Sequence, residues 1–488
     1  MGKSTGFMEY ERKENLETGV KERIKHYQEF HAALPKAFRQ QQGARCMDCG
    51  VPFCQSGMLI NGMVTGCPLH NLIPEWNDMV YRDHLDIAYQ RLSKTNNFPE
   101  FTSRVCPAPC EKACTCSLNG DAVTIKENEY AVIEEAYKRG AVKPLKDIPR
   151  TDKKVAVIGS GPSGLAVADQ LNKRGHHVTV FEKADRAGGL LMYGIPNMKL
   201  EKQIIERRIN IMKQEGVVFK MNTAITTKQQ AEEILKDFDA IALACGSRVA
   251  RDIKAPGRDA DGIYFAVDYL TQTTKAVLEH QEPQVSARNK HVLVIGGGDT
   301  GNDCCGSAVR QEAASVTQLE MMPKPPVDRQ PGNEWPQWPR VLKTDYGQEE
   351  CIEVFDKDPR LFQTTVKEFI KNEKNELKAV KLIKLEPIFH ADLKRTVMEE
   401  VDGSEFIIDA DLVLIAAGFI GCEEDITTSF DVHVERGRVT TKDYQTNKEG
   451  IFSLGDMRRG QSLVVWGIAE GRACAKEIDQ YLMGYSNL

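Results

Sequence analysis

The stretch KVAVIGSGPSGLAVADQLNKRGHHVTVFEKA, residues Lys154–Ala184, decides the fold. It reads as an apolar strand, a glycine turn, a helix and a second strand, which together make one βαβ unit. Gly159, Gly161 and Gly164 fit the G-x-G-x-x-G spacing, which allows a tight turn, a close approach to a pyrophosphate and close packing of helix on strand. Glu182 ends the second strand, where an acid accepts hydrogen bonds from ribose hydroxyls. The stretch therefore predicts a dinucleotide-binding, Rossmann-like fold.

A second βαβ unit begins at HVLVIGGGDTGNDCCGSAVRQ (His291–Gln311) and returns as a strand at SVTQLEMM (Ser315–Met322). Its glycines repeat the same spacing between a strand and a helix. The sequence thus predicts two nucleotide-binding folds in tandem. We assign the second fold to a nicotinamide cofactor, with these candidate contacts: Gly296, Gly298, Asp299, Thr300, Gly301, Asn302 and Glu320.

Several segments indicate that the first fold binds FAD. RAGGLLMYGIP (Arg186–Pro196) places a second glycine pair after the acidic strand, and GIFSLGDM supplies Asp456, as in flavoproteins. VVWGIAEGR (Val464–Arg472) starts a helix whose positive end can stabilise charge on a reduced flavin. The candidate FAD contacts are Gly159, Gly161, Pro162, Ser163, Gly164, Glu182, Lys183, Gly189, Leu190, Gly455, Asp456, Val464 and Val465. Glu470, in the same helix, is a candidate contact to the nicotinamide.

The choice between NADH and NADPH depends on the second strand of the second fold. Glu320 at its end repels a 2′-phosphate and suits a bare ribose, so the sequence favours NADH. Lys324, Arg310 and Arg329 lie near in sequence and remain candidates for binding a phosphate.

Eight of the 14 cysteines lie between Cys46 and Cys116. The blocks are CMDCGVPFC, then Cys67 with Pro68, then CPAPCEKACTC. Dense thiols of this kind in a reducing compartment indicate a metal or cluster site. Iron–sulfur clusters are favoured, since a flavin fold follows and a flavin converts hydride transfer into single-electron transfer. Structural zinc and buried free thiols are the alternatives.

The remaining segments predict how the chain is divided into domains. A helical pattern fills residues 1–150, and prolines and charges mark a linker at VKPLKDIPRTDKK (Val142–Lys154). We predict an α/β protein with a helical iron–sulfur domain at 1–150, an FAD-binding domain at 151–262 and 430–488, and an NAD(P)H-binding domain at 263–429, inserted in the FAD-binding one. The net charge of −6 gives no support for nucleic-acid binding. No stretch predicts a membrane span or a signal peptide, so a cytoplasmic location is expected.

Taken together, GARCMDCGVPFC, RVCPAPCEKAC, VAVIGSGPSGL, VIGGGDTGND, PGNEWPQWPR and SLGDMRRGQSLVVWGIAEGR resemble the small (beta) subunit family of glutamate synthases over essentially the whole chain. The resemblance implies two 4Fe–4S clusters in the N-terminal domain. It places Cys46, Cys49, Cys54 and Cys114 on one cluster. It places Cys67, Cys106 and Cys110 on the other, with Glu129 or Cys116 as the fourth ligand.

The resemblance also implies a partner. Glutamate synthase uses an N-terminal cysteine nucleophile and an FMN barrel, whereas this chain begins Met1-Gly2-Lys3 and shows no such barrel. We therefore expect a separate large (alpha) subunit, in a hetero-oligomer, to make glutamate from glutamine and 2-oxoglutarate. Two alternatives are the corresponding subunit of a pyrimidine reductase or of a bifurcating transhydrogenase, and a non-catalytic scaffold.

Overall fold

The computed structural model describes residues 2–488, and its N-terminal region is mainly helical, as predicted. The helices there are Gly6–Glu9 (α1), Val20–Arg23 (α2), Lys36–Ala44 (α3), Ile73–Tyr81 (α4), Leu85–Leu92 (α5), Pro99–Val105 (α6), Pro109–Lys112 (α7) and Ile125–Lys138 (α8). Two short antiparallel pairs join them, Leu16–Glu17 (β1) with His31–Ala32 (β2) and Met58–Ile60 (β3) with Met63–Thr65 (β4). Helix α8 buries Ile125, Val132 and Ile133, and the chain turns at Gly140 with a positive φ of 69°.

The predicted first βαβ unit is present, and it forms part of a parallel sheet. The elements are Lys154–Ile158 (β5), Pro162–Arg174 (α9), His177–Phe181 (β6), Leu190–Tyr193 (α10), Lys202–Gln214 (α11), Val218–Lys220 (β7), Lys228–Asp237 (α12), Ala240–Leu243 (β8) and Val249–Ala250 (β9). The chain then leaves this sheet.

The second nucleotide-binding unit follows. Its elements are Ile263–Phe265 (β10), Ala266–Glu279 (α13), His291–Ile295 (β11), Asp299–Arg310 (α14), Ser315–Glu320 (β12), Tyr346–Phe355 (α15), Arg360–Phe362 (β13), Thr364–Lys371 (β14), Leu377–His390 (β15), Arg395–Glu400 (β16), Phe406–Asp409 (β17), Leu412–Ile415 (β18) and Phe419–Gly421 (β19). The strand order β10-β18-β11-β12-β13 is parallel throughout.

The chain ends by returning to the first sheet. The last elements are Glu424–Ser429 (α16), Val434–Glu435 (β20), Arg438–Val439 (β21), Ile451–Ser453 (β22), Asp456–Arg459 (α17) and Val464–Met483 (α18). Strand β22 pairs with β8, so the first sheet has the order β22-β8-β5-β6-β7. One nucleotide-binding fold is thus inserted in the other, as predicted. The domain boundaries given above remain predictions.

Strands β14 to β17 form an antiparallel sheet that the sequence analysis did not predict. Strand β15 is its centre, pairing with β14, β16 and β17. Its apolar side chains Val380, Leu382 and Ile383 are buried, in one hydrophobic cluster with Leu293 and Val413 of the second parallel sheet.

The two nucleotide-binding units are held together by several contacts. The connecting strands β9 and β19 pair with each other, Phe419 with Ala250 and Gly421 with Val249. Lys275 forms an ion pair with Asp185 at 3.2 Å across the two units. Within residues 2–488, no helix combines the length and apolarity needed to cross a bilayer.

Candidate functional site

The first glycine loop is built for close packing on one side and an open approach on the other. A Cβ on Gly159 would lie 2.6 Å from the Ala244 carbonyl oxygen, and one on Gly164 would lie 2.0 Å from the Gly159 carbonyl oxygen. A Cβ on Gly161 would meet no protein atom within 4 Å, because this position faces a cavity. The loop thus leaves space for a pyrophosphate where the helix α9 begins.

Glu182 is fixed in a defined orientation at the edge of this loop. Its Oε2 accepts hydrogen bonds from the Ser160 backbone N–H at 3.0 Å and from the Ser160 hydroxyl at 2.6 Å. Its Oε1 accepts a hydrogen bond from the Ala184 backbone N–H at 2.8 Å. The Gly188 N–H donates to the same Ser160 hydroxyl at 3.0 Å, which joins the second glycine pair to the first loop. This arrangement fits a ribose-binding carboxylate.

The cavity has a volume of about 1270 Å³. That exceeds the roughly 300–1,000 Å³ of a single small-molecule pocket. The predicted FAD contacts that line it are Gly159, Gly161, Pro162, Ser163, Glu182, Lys183, Gly189, Leu190, Asp456 and Val464. Gly164, Gly455 and Val465 lie behind its wall; a Cβ on Gly455, for example, would lie 2.5 Å from the Ser163 hydroxyl oxygen.

The second glycine loop opens on the same cavity. Gly298, Asp299 and Thr300 line it, and a Cβ on Gly298 would meet nothing within 4 Å. The other predicted nicotinamide contacts, Gly296, Gly301, Asn302 and Glu320, lie outside the lining set. A Cβ on Gly296 would lie 2.4 Å from the Ala416 carbonyl oxygen, so this glycine serves the turn.

Glu320 lies directly against this second loop. A Cβ on Gly297 would be 2.1 Å from its Oε2, and its Oε1 accepts the Met322 N–H at 2.8 Å. Arg310, considered above as a phosphate ligand, is instead buried and bonded to Glu350, so that suggestion is wrong. Arg329 donates to the carbonyls of Asn333 and Gln337. Lys324 remains exposed.

The N-terminus of helix α18 borders the cavity through Val464, Trp466 and Gly467. Asp456 lies beside it, and burial raises the pKa of its carboxyl to about 6 although the Ser462 hydroxyl donates to it at 2.7 Å. Glu470 is not in the cavity. It is buried, accepting the Gly455 N–H at 3.1 Å and an Arg458 N–H at 2.8 Å. The structure therefore places Glu470 behind the loop that carries Asp456, not at the predicted nicotinamide contact.

Cys46, Cys49, Cys54 and Cys114, here called the first thiol set, surround a small cavity in the N-terminal region. Burial raises the pKa of Cys46 to about 12, whereas Cys49 is exposed at the surface. Cys116 also borders this cavity, but its thiol donates to the Arg45 carbonyl at 3.6 Å.

Cys67, Cys106 and Cys110, the second thiol set, lie together next to Glu129. Burial raises the pKa of all three thiols, and the Glu129 carboxylate raises it further. Asn96 donates to Glu129 Oε1 at 3.0 Å, and the Thr102 hydroxyl donates to the same oxygen. Backbone N–H groups of Asn71, Leu69 and His70 act in the opposite direction and lower the pKa of Cys67. Across residues 2–488, no three His, Cys, Asp or Glu side chains are arranged to hold a single metal ion.

Sequence reasoning missed several cavity residues. The hairpin β3–β4 borders the cavity through Leu59, Met63 and Val64. Val105 and Pro107, on either side of Cys106, also line it, which brings the second thiol set to its wall. Lys199 lines it too, 3.1 Å from Asp303 of the second unit. Val105 and Pro107 belong to the second cysteine block, but no sequence pattern places them at this cavity, because only the tertiary fold brings these positions together.

Comparison with known proteins agrees with this arrangement. Residues 153–471 match the family model described as pyridine nucleotide-disulphide oxidoreductase. Residues 23–141 match one described as dihydropyrimidine dehydrogenase domain II, 4Fe-4S cluster. FprA from Mycobacterium tuberculosis, solved in complex with NADPH, shares the fold with a TM-score of 0.52 at 17% identity, over 68% of this chain and 85% of that one.

Two sequence relatives match essentially the whole of this chain. The glutamate synthase [NADPH] small chain of Bacillus subtilis is 48% identical over 100% of both chains. The glutamate synthase [NADH] of Saccharomyces cerevisiae is 44% identical over 99% of this chain, which covers 22% of that larger protein.

The fold and the site thus define a pyridine nucleotide-dependent flavoprotein oxidoreductase with an N-terminal 4Fe–4S domain. Within that class, the chain belongs to the glutamate synthase small-chain family. The predicted family, enzyme class and cofactor types are therefore confirmed.

Proposed function

We propose that this chain is the electron-input subunit of a glutamate synthase. It oxidises NAD(P)H at FAD and passes electrons through two 4Fe–4S clusters to a large subunit that makes L-glutamate from glutamine and 2-oxoglutarate. One observation carries the proposal: both glycine loops open on one cavity whose wall includes the residues flanking Cys106. A flavin bound there accepts two electrons as hydride and releases them singly to clusters.

The chain's own residues orient the two nucleotides in this cavity. Gly161 and Gly298 leave space for the two pyrophosphates, and the helices α9 and α14 point their positive ends at them. Glu182 would accept a hydrogen bond from a ribose hydroxyl of one nucleotide, and the start of α18 would stabilise negative charge on a flavin ring. Glu470 acts as a positioning residue, because its carboxylate accepts hydrogen bonds from the Gly455 N–H and from Arg458.

The positions of the thiol sets support an order of electron transfer. The second thiol set is next to the cavity through Val105 and Pro107. The first thiol set includes the exposed Cys49. We infer that a cluster held by the second thiol set would receive electrons on the side of the flavin cavity, and that a cluster held by the first thiol set would supply them to a partner near the exposed Cys49.

Glu129 is the better candidate for the fourth ligand of the second cluster. Asn96 and Thr102 donate hydrogen bonds to its Oε1. These bonds fix the carboxylate beside Cys67, Cys106 and Cys110. Cys116 instead lies beside Cys114 and Cys46. Cys116, the alternative fourth ligand, is therefore near the first thiol set and not near the second.

The nicotinamide preference is proposed from the second glycine loop. The Glu320 carboxylate lies against this loop, and its negative charge would repel a 2′-phosphate, which favours NADH. The relatives carry both names, NADPH in the Bacillus subtilis protein and NADH in the Saccharomyces cerevisiae one. Relative kcat/KM values for the two nicotinamides test this preference.

The partner is proposed to be a separate large subunit, in a cytoplasmic hetero-oligomer. Two observations support this. The Bacillus subtilis relative is named a small chain. In the Saccharomyces cerevisiae glutamate synthase, the matching region is part of a longer chain. All 14 cysteines of this chain are unpaired, which suits a reducing compartment.

The function is tested with the purified chain and its large subunit. We expect the chain alone to reduce ferricyanide with NAD(P)H and to form no glutamate from glutamine and 2-oxoglutarate. Addition of the large subunit should give NAD(P)H-dependent glutamate formation. Because one matching model bears the name of dihydropyrimidine dehydrogenase, uracil and thymine reduction is assayed in parallel. Pyrimidine reduction, or glutamate formation by the chain alone, would overturn the proposal.

A further inference from the structure

A buried amide side chain lies in the cavity between the thiols of the first set. Asn77 belongs to helix α4, is 0% exposed, and lines the same cavity as Cys46, Cys49, Cys54 and Cys114. Besides thiols and apolar side chains, the wall contains Asp48 and Thr115. A fully buried carboxamide there is an unusual choice, since burying a polar group without partners costs free energy.

The orientation of this amide is fixed from behind. Asn128, in helix α8 and 2% exposed, donates its Nδ2 hydrogen to Asn77 Oδ1 at 2.7 Å. The Asn77 Nδ2 group has no hydrogen-bond partner within residues 2–488. Asn77 therefore holds a buried N–H donor in a cavity lined by cysteine sulfurs, with no protein acceptor.

A cluster on the first thiol set supplies the missing acceptor. Its sulfides and thiolates carry negative charge and accept N–H hydrogen bonds, and such bonds are one of the factors that set cluster potentials. The opposite orientation of the amide would turn Oδ1 towards these sulfurs and leave it without a donor. The bond from Asn128 and the charge of the cluster thus favour the same orientation.

We propose that Asn77 donates an N–H···S hydrogen bond to the cluster on the first thiol set and makes its reduction potential more positive. The added electron increases the negative charge on sulfur, so the bond is stronger in the reduced state than in the oxidised state. Asn77 thereby favours electron accumulation at the exit cluster. This inference rests on the proposed function, which assigns that cluster to Cys46, Cys49, Cys54 and Cys114.

The test is a potentiometric titration of the full-length holoprotein, followed by electron paramagnetic resonance. Asn77→Leu keeps the approximate size and removes the donor. We expect the equilibrium constant for one-electron reduction of this cluster to fall roughly three- to tenfold. A tenfold fall is a shift of about 59 mV to more negative potential. Cys49→Ser identifies which signal belongs to this cluster, because it changes one of its ligands.

Asn77→Asp provides a second variant if the leucine variant does not fold. It keeps the size and the acceptor for Asn128 but replaces the donor with an oxygen. Its potential should be at least as negative as that of Asn77→Leu. Trp76→Phe is the matched control, since the Trp76 indole N–H is equally buried and unpartnered but Trp76 is not in the cavity lining. It should leave the potential of this cluster unchanged.

The outcomes separate this inference from the proposed function. Wild-type protein without iron and sulfide would contradict the proposed function itself. Loaded protein in which both Asn77 variants keep the wild-type potential would overturn the role of Asn77 alone. A shift of the same size in Trp76→Phe would also overturn it, because the effect would then be a general response to changes in this core.

Discussion

At the scale of single residues, glycines in this protein have two distinct tasks. Gly159, Gly164 and Gly296 are needed because a side chain would collide with backbone 2.0–2.6 Å away. Gly161 and Gly298 meet no protein atom and have ordinary negative φ angles, so their task concerns a ligand. The G-x-G-x-x-G spacing predicts the same division, in which the middle glycine faces the ligand and the other two serve the turn and the packing.

Gly161→Val should therefore prevent flavin binding without unfolding the protein. The new side chain would occupy the cavity where a pyrophosphate approaches, and we expect the bound flavin per chain to fall about tenfold or more. Released flavin is measured by fluorescence after denaturation. Gly19→Val is the control, since its Cβ also meets nothing and its φ is −55°. Full flavin content in Gly161→Val would contradict the assignment of this loop.

Glu129 gives a second prediction at this scale. Removal of one ligand destabilises a cluster, so Glu129→Ala should lower iron and sulfide by about half, the share of one of two clusters. Cys116→Ala should retain both clusters, because that thiol is bonded to the Arg45 carbonyl. Iron and acid-labile sulfide are measured on anaerobically purified protein. The reverse result would assign the fourth ligand to Cys116.

At the scale of elements, a buried ion cluster fixes the N-terminal segment to the second nucleotide-binding unit. Arg23 of α2 lies 2.8 Å from Glu350 of α15, and Arg310 of α14 donates to the same carboxylate. The side chains of Arg23, Glu350 and Arg310 are 2%, 0% and 1% exposed. The N-terminal segment thus contributes to the position of the unit that carries the nicotinamide loop. No sequence pattern indicates this long-range contact.

Glu350→Gln should destabilise the protein by about 3–5 kcal/mol, because the buried Arg310 loses its carboxylate partner and the buried Arg23 keeps only the half-exposed Glu17 and Glu349. The free energy of unfolding is measured by urea titration with the cofactors bound. Glu349→Gln is the matched control. Glu349 also pairs with Arg23, at 2.9 Å, but is 46% exposed, so its loss should cost no more than about 1 kcal/mol. Equal effects of the two variants would show that burial does not set the strength of this cluster.

At the scale of the whole molecule, local sequence signals identified the parts and the fold determined how they meet. Both βαβ units, the helical character of the N-terminal region and the cysteine blocks follow from patterns of a few residues. The antiparallel sheet β14–β17 was missed because its strands alternate weakly and follow no motif. The shared cavity, the proximity of Cys106 to it and the amide of Asn77 all depend on contacts between segments far apart in sequence.

The structure places two residues, Glu470 and Arg310, away from the sites predicted for them. Glu470 was assigned to the nicotinamide because it follows the start of α18, but the helical turn directs it to Gly455 and Arg458. Arg310 was near the second strand in sequence, but it lies on the face of α14 that packs on Glu350. Sequence distance could not show which side of a helix meets the cavity.

An anaerobic titration of the isolated chain with NAD(P)H shows whether flavin and clusters form one electron-transfer chain. The flavin absorbance and the paramagnetic signals of reduced clusters are followed together. Substoichiometric NAD(P)H should bleach the flavin, and cluster signals should then appear without any added partner, because residues flanking Cys106 of the second thiol set line the large cavity. A flavin that bleaches while both clusters stay oxidised, at potentials accessible to NAD(P)H, would rule out this role.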